Sequence, residues 1–122
     1  MRITLTSKLV NARVSEGSAF NLVASFFDDS TDAWSASAPS TARYRIDRIS
    51  SRNDPGVSQA VLEWTSLTPA TSNTIAVTGS QNVLQSQFCY EEPRQITLQA
   101  NAGLSTQFQE TFRYWVTNLA AQ

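Results

Sequence analysis

Apolar and polar residues alternate with a period of two over several short stretches of the chain, and turn-forming residues separate them, as half-buried strands require. Phe20, Leu22, Ala24 and Phe26 share one parity between Glu16-Gly17-Ser18 and Asp28-Asp29. Over 42–49, Ala42, Tyr44 and Ile46 face one way and Arg43, Arg45 and Asp47 the other. Asn53-Asp54-Pro55-Gly56 predicts a turn, because proline presets φ and glycine accepts positive φ. A return strand follows at 59–64, with Leu62 and Trp64 inward and Val61 and Glu63 outward. Ile75 and Val77 mark another strand. Ile96, Leu98 and Ala100 lead through the turn Asn101-Ala102-Gly103-Leu104 into a last strand, 107–117, with Phe108, Phe112, Tyr114 and Val116 on one face.

The two ends of this pattern are less regular. Residues 2–6 and 8–14 read as a first strand broken near Ser7, or as an arm followed by a strand. Residues 79–93 open on Gly79-Ser80-Gln81-Asn82 and close on Pro93, with a helical turn around Val83-Leu84. No helical 3.6-residue repeat runs for a useful length. The expected fold is all-β: an immunoglobulin-like antiparallel β-sandwich of about seven strands. Residues 1–14 form the arm or first strand, 15–119 the single sandwich and 120–122 a tail. The Cys–Trp–Cys hallmark of antibody domains is absent, so Trp64 is expected to fill core space without a disulfide.

Composition narrows the function. The chain has 122 residues, one domain's worth. Charged residues are only 16%, and polarity comes instead from 16 Ser, 13 Thr, 7 Asn and 9 Gln, which suits a β-surface. With no histidine and one cysteine, Cys89, the chain cannot build an internal disulfide, a Cys/His zinc site or a Ser-His-Asp triad. A net charge of −1 argues against nonspecific nucleic-acid binding, which needs a basic stripe. The opening Met1 to Lys8 alternates like a strand and lacks the apolar run of a secretory leader, and no stretch approaches the ~18 apolar residues of a membrane helix. Lys8 stands alone against eight arginines. Arginine keeps planar contacts in interfaces, so the bias favours a protein that works by contact.

The carboxylates are the remaining candidates for chemistry. Asp28, Asp29 and Asp32 cluster after the second strand, and Glu91-Glu92 precede the sixth. Neighbouring acids on loops do not supply the fixed separation that paired acid/base catalysis needs, and the Asp28 loop lacks the alternating ligands and glycine of a calcium loop. No enzyme activity, metal or cofactor is expected. Lys8 and Asn118 at the two ends of the chain raise a lysine–asparagine crosslink promoted by Glu110, although a lone acid near a hairpin end also reaches solvent readily.

The outward parity of the third, sixth and seventh strands is more informative. Side by side, these strands collect Arg43, Arg45, Asp47, Gln95, Thr97, Gln99, Thr111, Arg113 and Trp115 on one surface. Tryptophan flanked by arginine has the composition of an interface hot spot. The structural alternative is a ladder in which Arg113 stacks on Trp115 and Arg45 pairs with Asp47 or Glu63. Trp34, in the long 30–41 loop, is expected to dock somewhere. The candidate contact residues are therefore Arg43, Arg45, Arg113, Trp115, Trp34 and Lys8.

Glu16-Gly17-Ser18-Ala19-Phe20, Arg43-Tyr44-Arg45-Ile46-Asp47, Val61-Leu62-Glu63-Trp64-Thr65, the run Arg94 to Asn101 and the run Phe112 to Leu119 together resemble the small immunoglobulin-like structural proteins of tailed bacteriophages. The resemblance implies a virion component, most often a decoration or cement protein on the outer capsid surface, assembled in the host cytoplasm. Its implied partners are the major capsid protein and further copies of itself, as a dimer or trimer, with no nucleic acid or membrane. A neck or tail accessory role is the structural alternative. A glycan-binding module, with Trp34, Trp115 and Tyr90 as an aromatic platform, is the alternative of another class. Residues 1–14 would then be the arm that adds to a neighbour's sheet edge.

Overall fold

A computed structural model describes residues 1–31, 33–49, 58–84 and 90–119, with backbone alone at 58 and 59. The Asn53–Gly56 turn, Asp32, Cys89 and the 120–122 tail lie outside the described residues. The strands are β1 (Arg2–Ser7), β2 (Arg13–Ser15), β3 (Phe20–Asp28), β4 (Ser35–Ala36), β5 (Ala42–Ile49), β6 (Ser58–Leu67), β7 (Ser72–Val77), β8 (Glu91–Ala100) and β9 (Phe108–Thr117). Seven of them have six residues or more, and no α-helix occurs among the described residues.

The strands form two sheets. In one, β3 lies between β1 and β7, and β4 pairs with the end of β3. In the other the order is β2-β9-β8-β5-β6. All pairings are antiparallel except β2 with β9. This is the expected all-β sandwich of two sheets, with β5, β8 and β9 adjacent as read. The inward parities meet between the sheets: Ile3, Leu22, Phe26, Ile75 and Val77 from one, Tyr44, Ile46, Ile96, Leu98, Tyr114 and Val116 from the other, all buried. Burying such side chains at roughly 1.5–3 kcal/mol each is the main force holding the layers together.

The N-terminal segment is built into the sandwich. β1 pairs over six residues with β3; the chain then crosses to the other sheet, where β2 pairs with β9. The crossing needs two consecutive left-handed residues, Asn11 and Ala12, both at φ 54. Asparagine tolerates that conformation, whereas alanine bears a steric cost. An arm free to swap onto a neighbour is therefore replaced by a split first strand.

Three further expectations change. The turn expected at Val83-Leu84 is a 3-10 helix four residues earlier, Gly79–Asn82. Strand β8 begins at Glu91 and includes Pro93, one residue beyond the last β5 pair, Arg48 with Arg94, where a strand tolerates a missing donor. Trp64 lies outside rather than in the core. Between the pairs Tyr44↔Thr65 and Ile46↔Leu62, β5 advances two residues while β6 advances three. That bulge inverts the parity of β6 and carries Trp64 to the face of Arg43 and Arg45.

A polar cluster closes one end of the sandwich. Arg94, fully buried, donates through Nε to Glu92 Oε1 (2.8 Å), through Nη1 to the Gln81 carbonyl (2.8 Å) and through Nη2 to the Val83 carbonyl (2.7 Å). Arg48 reaches the other oxygen of Glu92 at 3.5 Å. Alongside, the Tyr114 hydroxyl donates to Asn82 Oδ1 (2.9 Å), while Asn82 donates to the Ser18 carbonyl (2.7 Å). Burial pushes Tyr114 up to about 12, with nearby Arg94 opposing the shift. The folded state thus holds a proton that the unfolded chain releases near 10, so this contribution is intact below pH 10 and is lost as pH rises through 12. We expect the unfolding free energy measured by urea titration to fall between pH 9 and 12 by an amount on the order of 2–3 kcal/mol, and Tyr114→Phe to flatten that fall.

Candidate interaction face

The outer face of the five-stranded sheet is a grid set by register. One transverse row is Ser66, Arg43, Gln99 and Gln109; the next contains Arg45, Thr97 and Thr111; the third contains Asp47, Gln95 and Arg113. Arg13 on β2 lies opposite Trp115 on β9. The grid is stitched by side chains: Arg43 Nε donates to Gln99 Oε1 (2.9 Å), and Gln99 Nε2 to Gln109 Oε1 (2.8 Å). Arg45 grips Asp47 through both carboxylate oxygens (2.9 and 2.7 Å) and approaches Glu63 at 3.9 Å. Asp47 keeps Arg45 charged to higher pH than usual.

All three tryptophans lie beneath guanidinium groups. Arg43 and Arg45 sit 4.2 and 5.5 Å from the Trp64 ring centre, and Arg13 sits 5.2 Å from that of Trp115. Arg13 is itself clamped by Glu91 at 2.9 and 3.2 Å. The third pair is on the other sheet: Arg2 lies 4.3 Å over Trp34, whose ring packs on Phe27 at 6.1 Å. The arginine bias thus has an internal use, as four guanidiniums cover surface tryptophans. Cation–π contacts of this kind are worth about 0.5–1 kcal/mol each when exposed.

The sequence-predicted residues are therefore separated into three places. Arg43, Arg45, Arg113 and Trp115 share the grid, joined by Trp64, which parity had hidden. Trp115 is covered by Arg13 rather than Arg113; Arg113 is exposed, with one long contact of 3.5 Å to Gln95. Trp34 docks on the opposite sheet, so Trp34, Trp115 and Tyr90 do not form one platform. Lys8 follows β1, exposed, and makes no ion pair among the described residues.

Four of the described acids make structural contacts. Asp29 accepts from the Met1 ammonium (3.1 Å) and lies 3.7 Å from Arg2; the ammonium hydrogen bond lowers its pKa. Asp28 accepts from the Ser30 amide (2.9 Å), which lowers its own. Glu91 and Glu92, being adjacent in a strand, point to opposite faces, one to Arg13 and one to Arg94. No group of three metal-ligating side chains occurs among the described residues. Glu110 is exposed and accepts from Thr111 N, and eight residues of strand place it about 27 Å from Asn118, too far to promote a crosslink there.

No family, curated protein or solved structure matches the chain.

Proposed function

We propose that the protein is a non-enzymatic structural component of a tailed-phage virion, a decoration protein that docks on the major capsid protein through the outer face of the five-stranded sheet. The observation that carries this reading is the grid itself: an internally braced surface bearing Arg43, Arg45, Arg113, Trp64 and Trp115. A braced face loses little side-chain entropy on docking. Four paired strands at ~4.8 Å spacing and about seven residues of height give roughly 500 Å² per partner, short of the ~800 Å² of a standard interface. One copy alone therefore binds weakly, and occupancy depends on linked copies, each raising the effective concentration of the next.

The test is copy number per particle, by quantitative mass spectrometry of purified virions with the major capsid protein as internal standard. Hundreds of copies are expected. A few copies would reassign the protein to the neck or tail, and absence from the particle would overturn the reading.

A further inference from the structure

The crossing of the chain from β1 to β2 leaves a concavity on the sheet opposite the grid. Where Ser7 ends its pairing with Leu22, the chain lifts off β3, and a groove of about 600 Å³ opens beside Lys8. That volume is in the range of small-molecule sites. Its floor is a transverse row, Thr6, Val23 and Thr74, fixed by register across β1, β3 and β7, with Asn21 two residues along β3. Leu9 supplies an apolar wall.

The polar groups here differ from those of the grid in one respect. On the grid, Arg43, Arg45, Asp47 and Gln99 are tied to one another; in the groove, the side chains of Thr6, Lys8, Asn21 and Thr74 have no hydrogen-bond partner among the described residues. Lys8, moreover, is a cation without a counter-ion among the described residues, beside hydroxyl and amide groups and the apolar side chains of Leu9, Ala19, Phe20 and Val23. A ligand that complements this set carries one carboxylate, several hydroxyls and a C–H face.

We propose that the groove binds an acidic saccharide residue, a sugar bearing a carboxylate. The Lys8 ammonium pairs with the carboxylate, the hydroxyls of Thr6 and Thr74 and the amide of Asn21 exchange hydrogen bonds with the sugar hydroxyls, and Val23 and Leu9 support its C–H face. The site stands apart from the capsid reading, on the other sheet, so either stands if the other fails.

The experiment is an NMR titration of the full chain with N-acetylneuraminic acid and glucuronic acid, against galactose and acetate. We expect saturable amide shifts at Thr6, Asn21, Val23 and Thr74 with one or both acids and millimolar affinity. Galactose and acetate should each bind more weakly, and Lys8→Gln should weaken the sugar acid by about fivefold, the size of one exposed ion pair. Lys8 is exposed and makes no ion pair among the described residues, so the variant's spectrum should otherwise superimpose. No response to either acid, an equal response to galactose or acetate, or unchanged binding by Lys8→Gln would each overturn the proposal.

Discussion

Replacing Arg94 by alanine is expected to destabilise the protein by about 3–5 kcal/mol, the cost of leaving a buried partner charge without its counterpart. Three groups lose a donor at once: Glu92 Oε1 and the carbonyls of Gln81 and Val83. Arg48 continues to neutralise part of Glu92, at 3.5 Å, which places the effect inside that range and not above it. For a domain of this size the melting temperature should fall on the order of 15 °C. Combining Arg94→Met with Glu92→Leu removes both buried charges and should recover part of the loss, because well-packed apolar residues often replace a buried pair at little cost. Recovery should remain incomplete, since the two loop carbonyls still lack a donor. Full recovery in thermal denaturation would mean that the ion pair alone, and not its grip on the 79–84 segment, matters. Gly79 belongs to the same construction: a Cβ there would overlap the Gly17 carbonyl oxygen, so no larger residue fits without moving a backbone.

The period-two pattern located the long strands, because burial between two sheets imposes alternation directly on sequence, whereas the adjacency of β5, β8 and β9 followed from the sandwich architecture those strands implied. It also contained the buried charges. The inward parity of Ile96, Leu98 and Ala100 extends backwards through Arg94 to Glu92. Those positions read as loop only because charged residues and a proline obscured a strand whose interior is polar at one end. Trp64 was illegible for another reason. Parity assumes a uniform period, and the extra residue in β6 between Thr65 and Leu62 depends on pairing with β5, which leaves no local mark. The cover on Trp115 was equally hidden, since Arg13 reaches it only through the parallel pairing of β2 with β9 after a sheet crossing. Of the candidate face, then, the members on β5, β8 and β9 were readable, and Trp64 on β6 and Arg13 on β2, whose places depend on pairing and topology, were not.

That distinction decides which substitution tests the face. Trp115→Ala would expose β9 and strip Arg13 of its ring, mixing folding with docking. Arg45→Glu would place a second carboxylate beside Asp47. Arg113 is the usable position: it is exposed, its one side-chain hydrogen bond among the described residues is the 3.5 Å approach to Gln95, and its row sits within the grid. Arg113→Glu should change stability by no more than about 0.5 kcal/mol, as surface substitutions usually do. If the grid docks on capsid protein, the reversed charge should weaken binding of a purified copy to undecorated particles at least tenfold, about 1.4 kcal/mol. Ala76→Glu, which places the same carboxylate on the exposed surface of β7 in the opposite sheet, should leave particle binding unchanged. Linked copies multiply a small loss per contact, so occupancy on whole particles should fall more steeply than affinity at one contact. Normal decoration by Arg113→Glu, with loss in Ala76→Glu, would move the capsid contact to the other sheet.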